Sequence, residues 1–312
     1  MCKNPTPKNQ NYRTRLLLSK QSFYCVDEKG EKGPLPPSLS STLLSTSFLI
    51  LLQFAVEHLT RLFFYHFIMD THPIFADESN RMVLSRQLGT NVFMCTLVAI
   101  LGLRSKHIMS GILSSITGKT SVDLESFEKR LYTYHPEAQQ LLLFFFAYQI
   151  KNLYDSYVWN DGIEFLLHHV VSGIAAWGGM YPGICGSYAI FYMGISEVST
   201  AVLSFLANFD DKLGVPGLDR AFPITRLATA FCFVILFIIC RIILWPYVTY
   251  YFYNDCQRAL KRNSPKETVA VRFTIKTMLI CCLGLSVLQV IWLGQIFYLG
   301  YTEISALLAD SS

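Results

Sequence analysis

Seven apolar runs alternate with short polar segments along the chain, most of them long enough for the polypeptide to cross a lipid bilayer. A spanning helix needs about 20 mainly apolar residues. Residues 42–69, 89–103, 138–157, 162–180, 183–209, 222–253 and 272–302 meet or approach that requirement. The second run is the shortest and stops at Arg104. Tyr181-Pro182-Gly183 separates the fourth from the fifth and favours a tight turn, so these two are expected to form an antiparallel hairpin. The pattern predicts an all-α polytopic membrane protein of about seven transmembrane helices, with no internal repeat.

Residues 1–41 break the pattern. They hold Lys3, Lys8, Arg13, Arg15, Lys20, Lys29 and Lys32 but only the apolar patch Leu16 to Leu18, too little for a cleaved signal peptide. Gly30, Gly33, Pro34, Pro36 and Pro37 interrupt any helix before the first span. The expectation is a flexible basic arm over 1–41, a first membrane helix over 42–69, a six-helix membrane domain over 81–302 and a short tail over 303–312.

Composition agrees with burial in lipid. Hydrophobic residues make up 52% of the 312 and charged residues 15%, against about 25% charged in soluble domains. The net charge of +4 is small and the basic residues sit at the ends of apolar runs, which fits membrane flanks and excludes a nucleic-acid-binding role. With seven spans, the N-terminal arm and the loops 104–137 and 254–271 share one side and carry about 16 Lys/Arg. The other side carries Arg81, Arg86, Lys212 and Arg220. Positive charge gathers on the cytosolic side, so the N-terminus is expected in the cytosol and the C-terminus opposite. Nine cysteines show no C-x-x-C pair, and most lie within apolar runs as small hydrophobes. Neither a disulfide framework nor a zinc site is expected.

Polar residues inside the apolar runs carry the functional information, because a charge at the bilayer centre costs about 2.5–3.5 kcal/mol on insertion scales. The fourth run contains Asp161, Glu164, His168, His169 and Ser172. At about 100° per residue the first three fall within about 60° of one another on a helix. Glu164 and His168 are an i,i+4 pair, close enough for the carboxylate to hold the imidazole, and Ser172 extends the stripe. A carboxylate-oriented imidazole in an apolar setting suits general-base chemistry; the same stripe could also join helices by hydrogen bonds. The third run adds Tyr148, Gln149, Lys151, Asn152 and Asp155, with Lys151 and Asp155 spaced for an ion pair. The fifth adds Ser196 and Glu197, whose natural partners are Arg226 or Arg241 on the sixth. Glu57 and Arg61 are an i,i+4 pair on the first. The single histidines His58, His66, His72, His107 and His135 are too scattered for the several histidine boxes of membrane diiron enzymes, so no metal is expected.

The pattern D-x-x-E-x-x-x-H-H, here Asp161, Glu164, His168 and His169, resembles the TLC-domain family, which includes the ceramide synthases. Ser196-Glu197 and Arg241 also resemble that family, over roughly 81–302. The resemblance implies a six-helix bundle around a polar intramembrane cavity, in the endoplasmic reticulum. It implies His168 and His169 as catalytic candidates, with Asp161 and Glu164 orienting them and Tyr148, Asn152, Ser172, Ser196, Glu197 and Arg241 lining the cavity. Ceramide synthases carry a His-Asp pair before the serine–acid pair, where this chain has Met193-Gly194; their basic run before the motif aspartate is replaced by Trp159-Asn160. The expected function is therefore binding or regulation of membrane lipids. The alternative is N-acylation of a sphingoid base, with acyl-CoA as co-substrate and no other cofactor. A trafficking receptor is a lesser alternative. A G-protein-coupled receptor is disfavoured by the absence of D-R-Y and N-P-x-x-Y motifs.

Overall fold

The computed structural model describes residues 37–116, 126–262 and 268–310, so most of the basic arm and the last two residues of the tail lie outside the described residues. All regular structure among the described residues is helical. Helix α1 (Leu39–Thr71) starts at Ser38, whose hydroxyl accepts from the Ser41 N–H at 3.2 Å, filling one of the unpaired donors of a first turn. Helix α2 (Glu78–Arg104) is capped in the same way by Asp77. The Ser79 hydroxyl, then the Ser79 and Asn80 amides, hold that carboxyl below its ordinary range. Then follow the short α3 (Ser126–Tyr132), α4 (Pro136–Trp159), α5 (Ile163–Met180), α6 (Gly186–Phe209), α7 (Pro223–Lys261) and α8 (Val269–Asp310). Pro136 and Pro223 open α4 and α7, where a missing N–H removes no helical bond.

Five of these helices, α1, α2, α6, α7 and α8, are long and apolar enough to cross a membrane. The chain is thus an all-α polytopic membrane protein. Helices α4 and α5 form where expected, with 24 and 18 residues, but their polar residues keep them out of that set, so the count of seven is not reached on length and hydropathy.

Packing arranges six helices in a ring. Neighbours run α4, α5, α8, α7, α6, α2 and back to α4, while α1 lies outside against α4 and the middle of α2. The largest apolar cluster fills one end, around Tyr188, Phe191, Trp245, Phe252, Ile275 and Met278. Helices α2 and α6 cross at Gly102 and Gly194, and α5 meets α8 where Gly178 faces Met278.

Two sequence expectations change. Helix α2 begins eleven residues before the apolar run at Gly89, because its polar first turns bury Arg81 and Arg86 against protein groups instead of water. Arg81 donates to the Phe75 and Ala76 carbonyls at 2.8 and 2.6 Å. Tyr181-Pro182-Gly183 does turn the chain, but α5 and α6 are not a packed hairpin. The Cys185 N–H is tied to the Leu131 carbonyl at 2.6 Å, and α6 then runs between α2 and α7. The packed hairpin is α4–α5, joined by the left-handed Asn160 (φ 54) and by Gly162 (φ 119). Gly162 holds a backbone conformation that side chains disfavour.

Four of the long helices contain a π-helical turn, at Phe64–Ile68, Gln87–Val92, Phe191–Ile195 and Ile238–Leu244. The last precedes Pro246, which lacks an N–H and crowds the carbonyl four residues back, so widening the turn relieves it. Such insertions re-aim neighbouring side chains. Three of them lie beside Arg86, Glu197 and Arg241, the buried charges described next.

Candidate functional site

The polar residues of the bundle form distinct clusters instead of one chamber. The first joins α1, α2, α4 and the α4–α5 turn. Asp161 belongs to that turn and not to α5. Its carboxylate accepts from Arg86 through contacts of 3.3–3.4 Å and from the Ser156 hydroxyl at 3.1 Å, while the Arg86 guanidinium lies 4.6 Å from the Trp159 ring. Asp161 is therefore engaged in holding the turn. It does not orient the histidines, as the family resemblance implied. Beside it the fully buried Lys151 ammonium sits 2.5 Å from both Glu57 Oε2 and Asp155 Oδ2. Thr90 donates to the same Glu57 oxygen at 3.2 Å. Glu57 thus pairs across to α4, and Arg61 pairs with Glu78 at 3.6 Å instead of forming the expected i,i+4 pair.

The second cluster joins α2, α4, α6 and α7. Arg241 donates to Glu197 at 3.0 Å, to Thr200 Oγ1 at 2.8 Å, to Ser199 Oγ at 3.2 Å and to the Ser196 carbonyl at 3.2 Å. Of the two arginines expected to serve Glu197, Arg241 is the partner. The other Glu197 oxygen lies 3.9 Å from Cys95 Sγ, which in turn donates to the Tyr148 hydroxyl at 3.1 Å. Asn152, one turn along α4 from Tyr148, keeps a buried and unpartnered Oδ1. Ser196 returns its hydroxyl to the Tyr192 carbonyl at 2.8 Å. This arrangement uses up the serine–acid pair as interhelical structure. Buried ion pairs of this kind are costly to break, because the survivor is left charged and unpaired.

The third cluster holds the histidines. His169 Nδ1 donates to Gln149 Oε1 at 2.7 Å, which fixes its ring against α4 and leaves Nε2 as the acceptor of a neutral imidazole. His168 has no such partner. Its Nδ1 is buried and unbonded, and its ring stands edge-on to Trp292 of α8 at 5.3 Å and to His169 at the same distance. The expected Glu164–His168 bond is not made. The Glu164 carboxylate folds back over Gly162, where an added Cβ would lie 3.1 Å from Oε2. Ser172 is buried one turn further along α5. The expected polar cavity is not a single open space. One void within the bundle, of about 30 Å³, is lined by apolar and aromatic side chains such as Ala175, Tyr192, Trp245 and Cys282.

Two further groups escaped the sequence. Gln289 of α8 is 3% exposed, and both atoms of its amide are buried without a partner. Its signal was available as one of two amides, Gln289 and Gln295, within an apolar run. At the opposite end of the ring, Arg130 of α3 grips Asp255 of α7 at 2.7 and 2.8 Å, and the Tyr188 hydroxyl donates to the same carboxylate at 2.5 Å. These residues lie in segments that read as ordinary interfacial charge.

The all-α ring of helices is consistent with the membrane fold that the resemblance implied. The model of the TLC domain matches residues 90–298, about two thirds of the chain. The chain belongs to the TLC-domain family. Neither a curated protein nor a solved structure gives a match. Within this TLC domain, buried polar atoms without a hydrogen-bond partner are found on His168, at Nδ1, on Asn152, at Oδ1, and on Gln289, at both amide atoms. No group of three or more His, Cys, Asp or Glu among the described residues is placed to hold a metal ion.

Proposed function

We propose that this TLC-domain protein binds a membrane lipid inside its helical ring and acts in lipid homeostasis in the endoplasmic reticulum, without a catalytic step. The observation that carries this reading is the state of His168: the residue is half-buried, its Nδ1 is buried without a hydrogen bond, and no carboxylate orients it. A general base takes the proton itself and works best when a partner fixes its ring; His168 has no such partner at Nδ1, and His169 is held by the Gln149 amide. A group that waits unpaired in an apolar interior suits recognition of a bound molecule's polar atom.

Mass spectrometry of lipid retained by the purified chain tests this reading. A defined lipid species, enriched over the surrounding membrane and lost in His168→Leu, is expected. Retention of bulk membrane lipid in unchanged proportions, with or without that substitution, would remove the basis for the proposal.

A second reading, N-acylation of a sphingoid base from acyl-CoA, is favoured by the adjacent His168 and His169 in the family pattern. In that chemistry an imidazole nitrogen takes the amine proton as the amine attacks the thioester carbonyl and the CoA thiolate leaves. Product formed from acyl-CoA and long-chain base by the purified protein, and abolished by His168→Ala, would establish it and displace the non-catalytic reading.

A further inference from the structure

Helices α7 and α8 form an antiparallel pair whose register is fixed by three contacts. Trp245 donates to Ser286 at 2.9 Å, Thr249 Oγ1 lies 3.8 Å from Cys282 Sγ, and Arg272 donates to the Leu260 carbonyl at 2.7 Å. On that register Lys276 stands level with Asp255 and Cys256, one turn further into the pair than Arg272. Arg258, Lys261 and Arg262 close α7 at the same end.

Positive charge is in surplus there. Among the described residues, Asp255 is 1% exposed and is gripped by Arg130, with Arg258 at 3.9 Å, and Glu128 pairs with Arg262. Lys261 and Lys276 are exposed, and neither makes an ion pair with a described residue. A helix C-terminus attracts cations by itself, but Arg272 already fills that role through the Leu260 and Arg262 carbonyls, at 2.7 and 3.4 Å. Lys276 lies too far along α8 to share it. Its neighbours on the same helix face, Phe273 and Ile280, are 70% and 69% exposed, so this is the face that lipid covers. An ammonium on such a face must snorkel along its stem to the head-group layer. The anion within its reach at that depth is a lipid phosphate.

We propose that the junction of α7 and α8, on the outside of the ring, is a docking surface for an anionic phospholipid. Lys276 meets the phosphate from the membrane side, and Lys261 and Arg258 meet it from the surface. A basic cluster at the head-group level of a helix pair suits a head of net negative charge, whereas a choline head would set a second cation against it. The surface lies apart from the interior and does not depend on what the ring holds.

The test uses the full chain in phosphatidylcholine nanodiscs with a trace of photoactivatable phosphatidylglycerol, or of photoactivatable phosphatidylcholine carrying the same chains. Phosphatidylglycerol is expected to label the α7–α8 junction about tenfold more strongly, and the excess should shrink as salt is raised. Lys261→Gln with Lys276→Gln is expected to remove most of the excess while the protein melts with the parent. Lys261→Arg with Lys276→Arg should keep it, as should His168→Leu in the interior and Lys212→Gln at the opposite end. Equal labelling by the two lipids overturns the proposal, as does an excess that survives the double glutamine substitution. Labelling abolished by dilute inorganic pyrophosphate would make the occupant a soluble anion and overturn it too. Should the double glutamine variant fail to fold, the salt series on the parent decides: an excess that salt leaves unchanged overturns the charge-based surface.

Discussion

Gly194 packs so tightly on Gly102 that a Cβ at position 194 would stand 2.8 Å from the Gly102 α-carbon and 2.6 Å from Leu141 Cδ1. Position 194 is where the resemblance to ceramide synthases calls for an acid. The acid is missing here for a packing reason: α2 and α6 approach through their backbones, and no side chain fits between them. Gly194→Asp is expected to unfold the ring. The clash alone costs about 1–3 kcal/mol, and an unpaired buried carboxylate adds to it. Thermal unfolding in detergent measures this; a Gly194→Asp protein melting with the parent would show that the crossing is not close.

Arg241 and Glu197 give the second expectation. Arg241→Met leaves Glu197 charged and unpaired and is expected to destabilise by about 3–5 kcal/mol. Adding Glu197→Gln should recover a substantial part, because the stranded charge is then gone. The double-mutant cycle isolates their coupling, and a cycle in which the two effects simply add would rule out the pair as a structural unit.

Lys151 makes a similar argument for the outer helix. Its ammonium lies between Glu57 of α1 and Asp155 of its own helix, so one cation ties α1 to the ring. Lys151→Met leaves two carboxylates facing each other, and α1 is expected to loosen from α4. A cysteine cross-link between the exposed Phe54 and Tyr154 positions, whose rings lie 5.9 Å apart, reports it. The cross-link should form in the parent and fall in Lys151→Met; equal yields in both would contradict the tie. Glu57→Gln together with Lys151→Met should restore part of the yield.

Much of the architecture was legible because lipid imposes simple rules. Apolar length placed the long helices, and the D-x-x-E-x-x-x-H-H pattern, which runs from the α4–α5 turn into α5, located the family and the histidines. Pairing was less legible. Helical spacing suggested Glu164 with His168 and Glu57 with Arg61, yet both acids are used otherwise: Glu164 turns back towards Gly162, and Glu57 reaches Lys151. Spacing along one helix cannot reveal a cation arriving from the next, and in a low-dielectric interior the cross-helix partner prevails. Arg86 misled for the same reason. It read as a loop charge in the topology count, whereas it lies buried against Asp161 and Trp159. Gln289 was passed over because an amide in an apolar run, like Gln295 beyond it, looks tolerable until the structure shows both of its polar atoms buried without a partner.

The two adjacent histidines should respond in opposite ways to the same substitution. His169→Leu strands Gln149 Oε1, which loses its bond from Nδ1 at 2.7 Å, and this is expected to cost about 1–3 kcal/mol of stability. His168→Leu removes a ring whose Nδ1 has no partner to lose, exchanging an unsatisfied polar atom for an apolar side chain against Trp292. It is expected to leave the lipid-free protein as stable as the parent or slightly more so, while lipid retention falls. Melting curves with and without delipidation separate the two effects. Were His168→Leu to lower the melting temperature as far as His169→Leu in both states, His168 would be a structural residue with bonds of its own, and the functional reading of the paired histidines would fall on that result alone.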